Sequence, residues 1–345
     1  MTMDAILEQL INLPTPGTRE EAGQKFVIRH LRDLCDRVET DIFGSAVGVI
    51  NAKAETRVLL TAHVDEVACM VESIDSRGYL RLSAIGRCQP DGLVGQRVHV
   101  HSEKGVVTGV VARAAGAPPK EELKIESLWI DIGASDREQA LKRVSVGDTV
   151  TPQCGFNRLS SDLVAGRGLD DRAGVVAMIE ALRLIKADRR KPKVAVYALS
   201  AVQEEGPSHR GIITQTFRIR PQAALAIDCC LSQDSPGQSG DIKLGGGPLT
   251  AVSMTTNRAT VRRLQEAAGA ARIPLTLIAE PRSTGTDADA LASVGEGVAT
   301  GVLYFPVRNL HSPSEVASLK DLQSVAQLTA EFVLRLPETP DFKPF

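Results

Sequence analysis

The 345-residue sequence predicts an α/β fold with a mostly parallel sheet, covered by helices and interrupted by a small β-rich insertion. Two observations predict this arrangement. Apolar runs of strand length alternate with amphipathic helical segments toward both ends of the chain, which is typical of a parallel sheet that helices cover on both faces. From about residue 70 to about residue 160, short alternating runs are separated by Gly, Pro and Asp, which is typical of a β-rich module.

The elements before the insertion are helices and one buried strand. The pattern of residues 1–35 predicts helix, and Thr18 with Glu21 fits a capping box ahead of an amphipathic run. Residues 57–62 predict a buried strand, because an apolar Val-Leu-Leu run is flanked by polar residues. We expect residues 1–69 to form the first part of the larger domain.

The insertion, predicted at residues 70–161, is a series of short strands. These strands are expected at 79–82, 97–101, 105–112, 128–132 and 146–150, with a short helix near 136–143. Residues 116–122 contain two prolines and no periodicity, which predicts an exposed loop.

Helices and strands alternate again after the insertion. A long helix is predicted where apolar residues share one face from Val175 to Ile185. Strands are expected at 193–200, 223–227, 275–279 and 298–305, and helices at 257–271 and 287–293. A cap at 312–315 begins a final helix that runs toward Leu336. Residues 162–345 therefore join residues 1–69 in one discontinuous α/β domain.

The composition excludes several classes of protein. Hydrophobic residues make up 43% and charged residues 24% of the chain, as in ordinary globular proteins. A net charge of −2 and an aromatic content of 3% give no basis for nucleic acid or an anionic membrane as a partner. Neither a secretory signal nor the roughly 18 apolar residues of a membrane-spanning helix is found, so we expect a cytoplasmic location. The cysteines form no C-x-x-C pair, which argues against a Cys-rich zinc site.

Acidic residues and histidines follow several predicted strands. Four such segments stand at strand ends, and a fifth opens the long helix; they contain His63 and Asp65, Glu204 and Glu205, Asp228, His311, and the Asp170–Asp171 pair. Because sites in open α/β sheets form at the carboxyl ends of strands, we expect these side chains to meet. Each segment alone is equally compatible with a surface turn, a helix N-cap or solvated loop acids.

Together, these side chains suit divalent metal ions. The two histidines, two aspartates and one glutamate offer imidazole and oxygen ligands that suit zinc, cobalt or manganese. Asp65 is placed to orient the His63 ring. Of Glu204 and Glu205, one can bind metal while the other acts as a base on activated water. The expected chemistry is hydrolysis, for example of an amide.

Other motifs are less specific. The vicinal Cys229 and Cys230 are discounted as a redox or soft-metal pair, because adjacent cysteines rarely form a strain-free disulfide. Residues 245–248 predict a turn, since they match no phosphate-binding spacing. Gly285, Thr286 and Asp287 lead into a helix, where a plain N-cap is preferred to binding of a substrate carboxylate or carbonyl.

The order of the segments resembles the glutamyl/tetrahedral aminopeptidase family of co-catalytic di-metal metallopeptidases. The matching stretches span nearly the whole chain and are 62–66, 168–172, 202–206, 227–228, 285–288 and 311–313. The insertion resembles the PDZ-like domain of that family at 78–80, 131–134 and 146–148. The resemblance implies a zinc-exopeptidase-like fold for the larger domain.

The resemblance also implies roles for individual residues. One metal ion would be held by His63, Asp170 and Asp228, and the other by Asp170, Glu205 and His311, with Asp170 bridging. Glu204 would be the general base, and Asp65 would orient His63. The two ions would be zinc or cobalt, with manganese as a further option. Such enzymes remove N-terminal residues from short peptides and assemble as homo-oligomers built on dimers, including tetrahedral dodecamers.

The chain departs from the family pattern at five positions, Ala68, Cys69, Pro207, His209 and Asp289. These departures bear on the specificity pocket and on which substrates enter. His209 is also close enough to Glu205 in sequence to be a substrate-side candidate. Alternative interpretations are a related deacylase or carboxypeptidase acting on N-acylated substrates, and a catalytically silent scaffold. A glycosidase would leave His63 and His311 unexplained.

Overall fold

The computed structural model describes residues 1–114 and 123–343. The loop predicted at 116–122 lies outside the described residues. The helices are α1 (Met3–Ile11), α2 (Glu21–Leu34), α3 (Pro90–Leu93), α4 (Arg137–Leu141), α5 (Leu169–Ala187), α6 (Arg210–Ile219), α7 (Arg258–Ala271), α8 (Asp287–Leu291) and α9 (Leu319–Arg335).

The strands fall into a large sheet and a barrel. Those of the sheet are β1 (Arg37–Thr40), β2 (Ala46–Ile50), β3 (Arg57–His63), β10 (Asn157–Arg158), β11 (Leu163–Gly166), β12 (Ala195–Ala201), β13 (Ala223–Leu231), β14 (Leu249–Ser253), β15 (Thr276–Glu280), β16 (Ala299–Arg308) and β17 (Glu315–Ser318). Those of the barrel are β4 (Ala68–Ile74), β5 (Leu80–Ile85), β6 (Arg97–Ser102), β7 (Gly105–Arg113), β8 (Leu128–Asp131) and β9 (Thr149–Pro152).

The large sheet is mixed rather than mostly parallel. Its order is β1-β2-β12-β3-β13-β16-β17-β11-β10, with β14 pairing β16 and β15. The central strands β12, β3, β13 and β16 are parallel, and β14 is parallel to β15. The flanking pairs are antiparallel. Most of these flanking strands lie outside the predicted strands. They are short and often joined by turns of a few residues, a connection that favours antiparallel pairing.

Helices cover both faces of the sheet, as predicted. Alternate residues of β3 enter different apolar clusters: Val58 and Leu60 join a cluster with α1, α2, α5, α7 and α9, whereas Leu59 joins one with α6 and α8. This alternation follows from the two-residue period of a strand. Because both faces are covered, the central strands are apolar along almost their whole length.

The insertion forms a closed six-stranded barrel in the order β4-β5-β8-β7-β6-β9. It buries an apolar cluster of its own that includes Val71, Leu82 and Ile130. Closure removes the free strand edges that a small sheet would expose. The division at residues 70 and 161, the PDZ-like character and the zinc-exopeptidase-like character stay predictions.

The helix predicted over 1–35 is two helices. Pro14 and Pro16 lie between α1 and α2, and proline disfavours a helical conformation at the residue before it. The capping box is also wrong. The N-cap of α2 is Glu20, which makes no side-chain cap bond, and Thr18 has a φ of 77° outside the helix.

The last helix begins later than predicted. It starts at Leu319, where the Ser318 hydroxyl accepts a hydrogen bond from the Asp321 N–H. Residues 312–315 do not cap it, because Glu315 begins β17, which pairs with β11 and β16. Among residues 1–114 and 123–343, none of the helices has both the length and the apolar character needed to cross a membrane.

A buried ion cluster joins three parts of the chain below the edge of the sheet. The Glu66 carboxylate accepts hydrogen bonds from the N–H of Thr15 at 2.8 Å and from Arg172 Nη2 at 3.1 Å, and Arg167 also donates to it. Arg172 is fully buried and donates to the Leu13 carbonyl at 2.7 Å. Burial alone would raise the pKa of Glu66, but the two guanidinium groups outweigh it and lower that pKa. The cluster therefore ties the loop after α1 to the end of β3 and the start of α5.

Glu66→Gln should lower the free energy of unfolding by about 3–5 kcal/mol, because it leaves two buried guanidinium groups without their anion. Denaturant unfolding followed by circular dichroism would measure the loss. Since the folded chain lowers the pKa of Glu66 from 4.5, the wild-type advantage should be full at neutral pH and should decline as the pH falls below that value. Glu138→Gln is the matched control: its ion pair with Lys142 is exposed, so no measurable change is expected. Equal losses in both variants would contradict the assignment.

Candidate metal centre

The predicted site residues meet at one edge of the large sheet. His63 ends β3, Glu204 and Glu205 follow β12, and Asp170 lies at the start of α5. His311 stands in the turn between β16 and β17. Asp228 does not close its strand, because β13 continues to Leu231 and Asp228 lies beside Tyr304 of β16. The strand predicted at 223–227 is therefore too short. Its last residues include a polar side chain, that of Asp228, which faces the site and interrupts the apolar pattern.

Asp170 stands between two groups of metal-ligand side chains. The first group is His63, Asp170 and Asp228, and the second is Asp170, Glu205 and His311. Within each group, the candidate ligand atoms lie within 4.8 Å of one another. Asp170 Oδ1 is 3.2 Å from His63 Nε2, and Asp170 Oδ2 is 3.1 Å from His311 Nε2. Each oxygen of this one carboxylate therefore faces a different histidine.

The electrostatics of these groups fit a bound cation. Glu205 Oε1 is buried yet has no hydrogen-bond partner among the described residues. Burial, reinforced by the neighbouring Asp170, raises the pKa of Glu205 and of Asp228 well above the usual range. Burial would also raise the pKa of Asp170, but hydrogen bonds with His311 and His63 lower it instead. Imidazole and carboxylate donors in such a cluster suit zinc, cobalt or manganese.

Asp65 supports the site through backbone and ring contacts. Its carboxylate accepts hydrogen bonds from the N–H groups of Glu204 at 3.1 Å and Glu205 at 3.0 Å. Asp65 Oδ1 also lies 3.6 Å from His63 Nδ1, which is 3.1 Å from the Asp65 carbonyl oxygen. One fully buried carboxylate thus holds the loop after β12 and faces the His63 ring.

The sequence does not predict the supporting roles of Glu315 and Asp171, although Asp171 belongs to the candidate segment at the start of the long helix. Glu315 accepts hydrogen bonds from the N–H of Asp170 at 3.0 Å and from the N–H of His311 at 2.8 Å. Asp171 accepts one from the N–H of His63 at 3.1 Å. Glu315 and Asp171 are both fully buried. The only signal for Glu315 was its place four residues after His311, where it was interpreted as part of a helix cap.

Glu204 lies beside His63 of the first ligand group but belongs to neither group. Its Oε2 is 3.8 Å from His63 Nε2, and its Oε1 is 3.5 Å from His209 Nδ1. Burial raises the pKa of Glu204 to about 8, and the negative charges of Asp287 and Asp65 add to the shift. This environment distinguishes it from the adjacent Glu205, which joins a ligand group.

These side chains line a cavity of about 470 Å³. One wall carries Glu280, Asp289 and Tyr304, and the Tyr304 hydroxyl donates to Glu280 Oε2 at 2.6 Å. Arg87 and Gly86 approach from the barrel. Gly86 has a φ of 73°, and a Cβ on it would lie 3.1 Å from Glu205 Oε2. The turn after β5 therefore passes directly over a candidate ligand.

The loop at 284–287 forms another part of the wall. Gly285 and Thr286 line the cavity, and the Thr286 hydroxyl accepts the Ala288 N–H as a plain N-cap. Asp287 is buried behind them, 3.3 Å from His209 Nδ1. Asp289 holds the loop by accepting the N–H of Gly285 at 2.9 Å.

The departures from the family pattern fall in different places. Residues His209 and Asp289 line the cavity. Ala68 and Cys69 lie instead in β4, and Cys69 packs in the apolar core of the barrel. Pro207 is not part of the cavity lining, so His209 and Asp289 are the departures that line it.

Comparison with known proteins identifies the family to which the chain is similar. The profile of the M42 glutamyl aminopeptidase family matches residues 44–328. A lysyl aminopeptidase from Pyrococcus furiosus is 32% identical over 98% of this chain and 99% of its own. An aminopeptidase structure from the archaeon Desulfurococcus kamchatkensis is 29% identical, with a TM-score of 0.91 over 97% of this chain and 95% of that one.

Another solved structure similar to this chain is that of a peptidase that forms large assemblies. The Pyrococcus horikoshii TET1 peptidase, which is described as able to assemble into a tetrahedron or a large octahedral shell, is 29% identical. Its TM-score is 0.85 over 97% of this chain and all of the other. The resemblance noted in the sequence is confirmed: the chain belongs to the M42 glutamyl aminopeptidase family.

Proposed function

We propose that this protein is a metal-dependent aminopeptidase that removes N-terminal residues from short peptides in the cavity beside Asp170. The observation that carries the proposal is the single Asp170 carboxylate set between two histidine-containing groups, with Glu204 beside His63 of the first group. Membership of the M42 family supports the same conclusion.

The two groups would each hold one divalent ion. His63, Asp170 and Asp228 would bind the first, and Asp170, Glu205 and His311 the second. Zinc and cobalt suit these donors, and manganese is a further option. Such ions act as Lewis acids on a peptide carbonyl and make the attacking water more acidic.

Glu204 would move the proton. Its Oε2 lies 3.8 Å from His63 Nε2, close to the first ligand group without belonging to it. A carboxylate in this position accepts a proton from the attacking water and returns it to the amine that leaves. Asp65 would keep the His63 ring and the Glu204 backbone in place.

The wall that carries Glu280 and Asp289 favours a basic first residue. Both are carboxylates, although burial raises the pKa of Glu280, and Arg87 is a cation in the same cavity lining. Asp289 has a lowered pKa because hydrogen bonds outweigh its burial, so it remains ionised at neutral pH. A Lys or Arg side chain would meet favourable charge at this wall. Gly285 and Thr286 line the cavity and would contribute to substrate binding. Asp287, which the sequence groups with them, is buried behind them and would support the loop.

A homo-oligomer built on dimers, in the form of a tetrahedral dodecamer, would suit this family. The assembly described for the Pyrococcus horikoshii relative supports it. The cytoplasmic location remains a prediction.

Metal-loaded protein should release the first residue from free peptides, fastest for Lys and Arg, and a chelator should abolish the release. A panel of free and N-acetylated peptides, analysed by mass spectrometry, would measure it. Cleavage of acetylated peptides alone would favour the deacylase instead. Cleavage of neither set, with metal confirmed bound, would contradict the proposal.

Glu204→Gln should retain the ions of the two ligand groups but lose about 10²–10⁴-fold in kcat, because the amide cannot accept the proton. Steady-state rates on a cleaved peptide, together with metal content, would test this. Glu296→Gln, at an exposed position away from the cavity, should keep the wild-type rate. Unchanged turnover in Glu204→Gln would remove Glu204 from the mechanism.

Asp170→Asn should weaken the binding of both ions, since both groups share this carboxylate. Asp228→Asn should weaken only one. Elemental analysis after dialysis against graded chelator would count the retained ions, with the exposed Asp241→Asn as the matched control. If Asp170→Asn kept the wild-type content, the shared carboxylate would be refuted.

A further inference from the structure

Glu204, His209 and Asp287 form a third cluster, on the side of Glu204 that faces away from His63. One ligand atom from each side chain lies within 4.8 Å of the other two. His209 Nδ1 is 3.5 Å from Glu204 Oε1 and 3.3 Å from Asp287 Oδ1. The two oxygens of Glu204 therefore face different clusters.

Both contacts of His209 Nδ1 are long for charge-assisted hydrogen bonds, although the one with Asp287 Oδ1 is within hydrogen-bond distance. Hydrogen bonds between charged nitrogen and oxygen groups are about 2.7–2.9 Å long. Nitrogen and oxygen ligands about 2.0–2.2 Å from a tetrahedral zinc ion are about 3.4 Å apart. Both contacts of His209 Nδ1 lie close to the second value.

The burial of Asp287 is a second, independent observation. This carboxylate is only 3% exposed, and its Oδ2 has no hydrogen-bond partner within residues 1–114 and 123–343. Burial raises the pKa of Asp287, although the neighbouring His209 opposes the shift. An unpaired buried oxygen of this kind is costly unless a cation or donor compensates it. His209 is 30% exposed at its side chain and lines the cavity, which gives an ion a path from solvent.

We propose that Glu204, His209 and Asp287 form a separate zinc site, and that its occupation inhibits the enzyme. One imidazole and two carboxylates, with a position left for water, are a donor set that zinc accepts. A zinc ion on Glu204 Oε1 would hold the carboxylate that must accept the proton. The binding site stands on the geometry alone, whereas the inhibition rests on the proposed function.

Zinc binding and peptide hydrolysis should be measured together on the full-length protein. Samples are equilibrated in a series of free-zinc buffers; bound zinc is counted by elemental analysis, and the rate is measured in the same samples. The wild type should take up a further equivalent of zinc beyond the ions of the two other groups. Its rate should fall over the same range of free zinc.

Two variants should bind this additional zinc ion more weakly. In His209→Gln and in Asp287→Asn, binding of the additional zinc ion should require roughly tenfold more free zinc or more. The hydrolysis rate of each variant should then fall less with rising zinc, relative to its own rate at low zinc. His99→Gln is the matched control, because His99 lies on the barrel strand β6 and outside the cluster. It should behave as the wild type does.

The possible failures are distinguishable. A wild-type chain with no further equivalent, or a His209→Gln chain with unchanged affinity for it, would overturn the site. An equivalent that is lost with His209 but never slows hydrolysis would overturn the inhibition alone. Absence of hydrolysis at every zinc concentration would count against the proposed function, while the zinc counts would still decide the site.

Discussion

The concentration of buried carboxylates at one edge of the sheet is the constraint on which the site depends. Burial disfavours a charged carboxylate, so each one needs a compensating partner. For Asp65, Asp171 and Glu315 the partners are backbone N–H groups, which cannot move without moving the chain. For Asp170 the partners are two imidazoles. The remaining oxygens, such as Glu205 Oε1, mark where cations would complete the balance.

In the Glu66 cluster, the buried carboxylate is compensated by side-chain cations instead of backbone N–H groups. Two arginines face one glutamate, and their spare donors reach carbonyl groups such as that of Leu13. Positive charge is thereby kept below the sheet edge and away from the ligand groups. The cluster also fixes the start of α5, which carries Asp170. Structural and candidate catalytic charges are thus segregated although Asp65 and Glu66 are adjacent in sequence.

Local patterns were enough to predict the central strands and the ligand candidates. His63 and Glu205 were found because an apolar strand of ordinary length precedes each of them, and strand ends converge in such sheets. Glu315 could not be found in this way. Its role depends on β17 folding back onto β11, a long-range pairing that leaves no local pattern. Because of the same pairing, residues 312–315 do not form the helix cap that their sequence predicts. Short strands of this kind also make the sheet mixed rather than mostly parallel.

The close passage of Gly86 over Glu205 has a consequence for how the two parts of the molecule can evolve. A barrel inserted at a surface turn would normally be replaceable by any small domain whose ends fit. Here part of the cavity wall belongs to the barrel, and a Cβ at residue 86 would lie 2.9 Å from Val67 Cγ1 and 3.1 Å from Glu205 Oε2, so both side chains would have to shift. A transplanted insertion would therefore have to supply both a glycine at this turn and a suitable neighbour in place of Arg87. Changes in the barrel are thus a route by which substrate range could change while every candidate ligand stays the same.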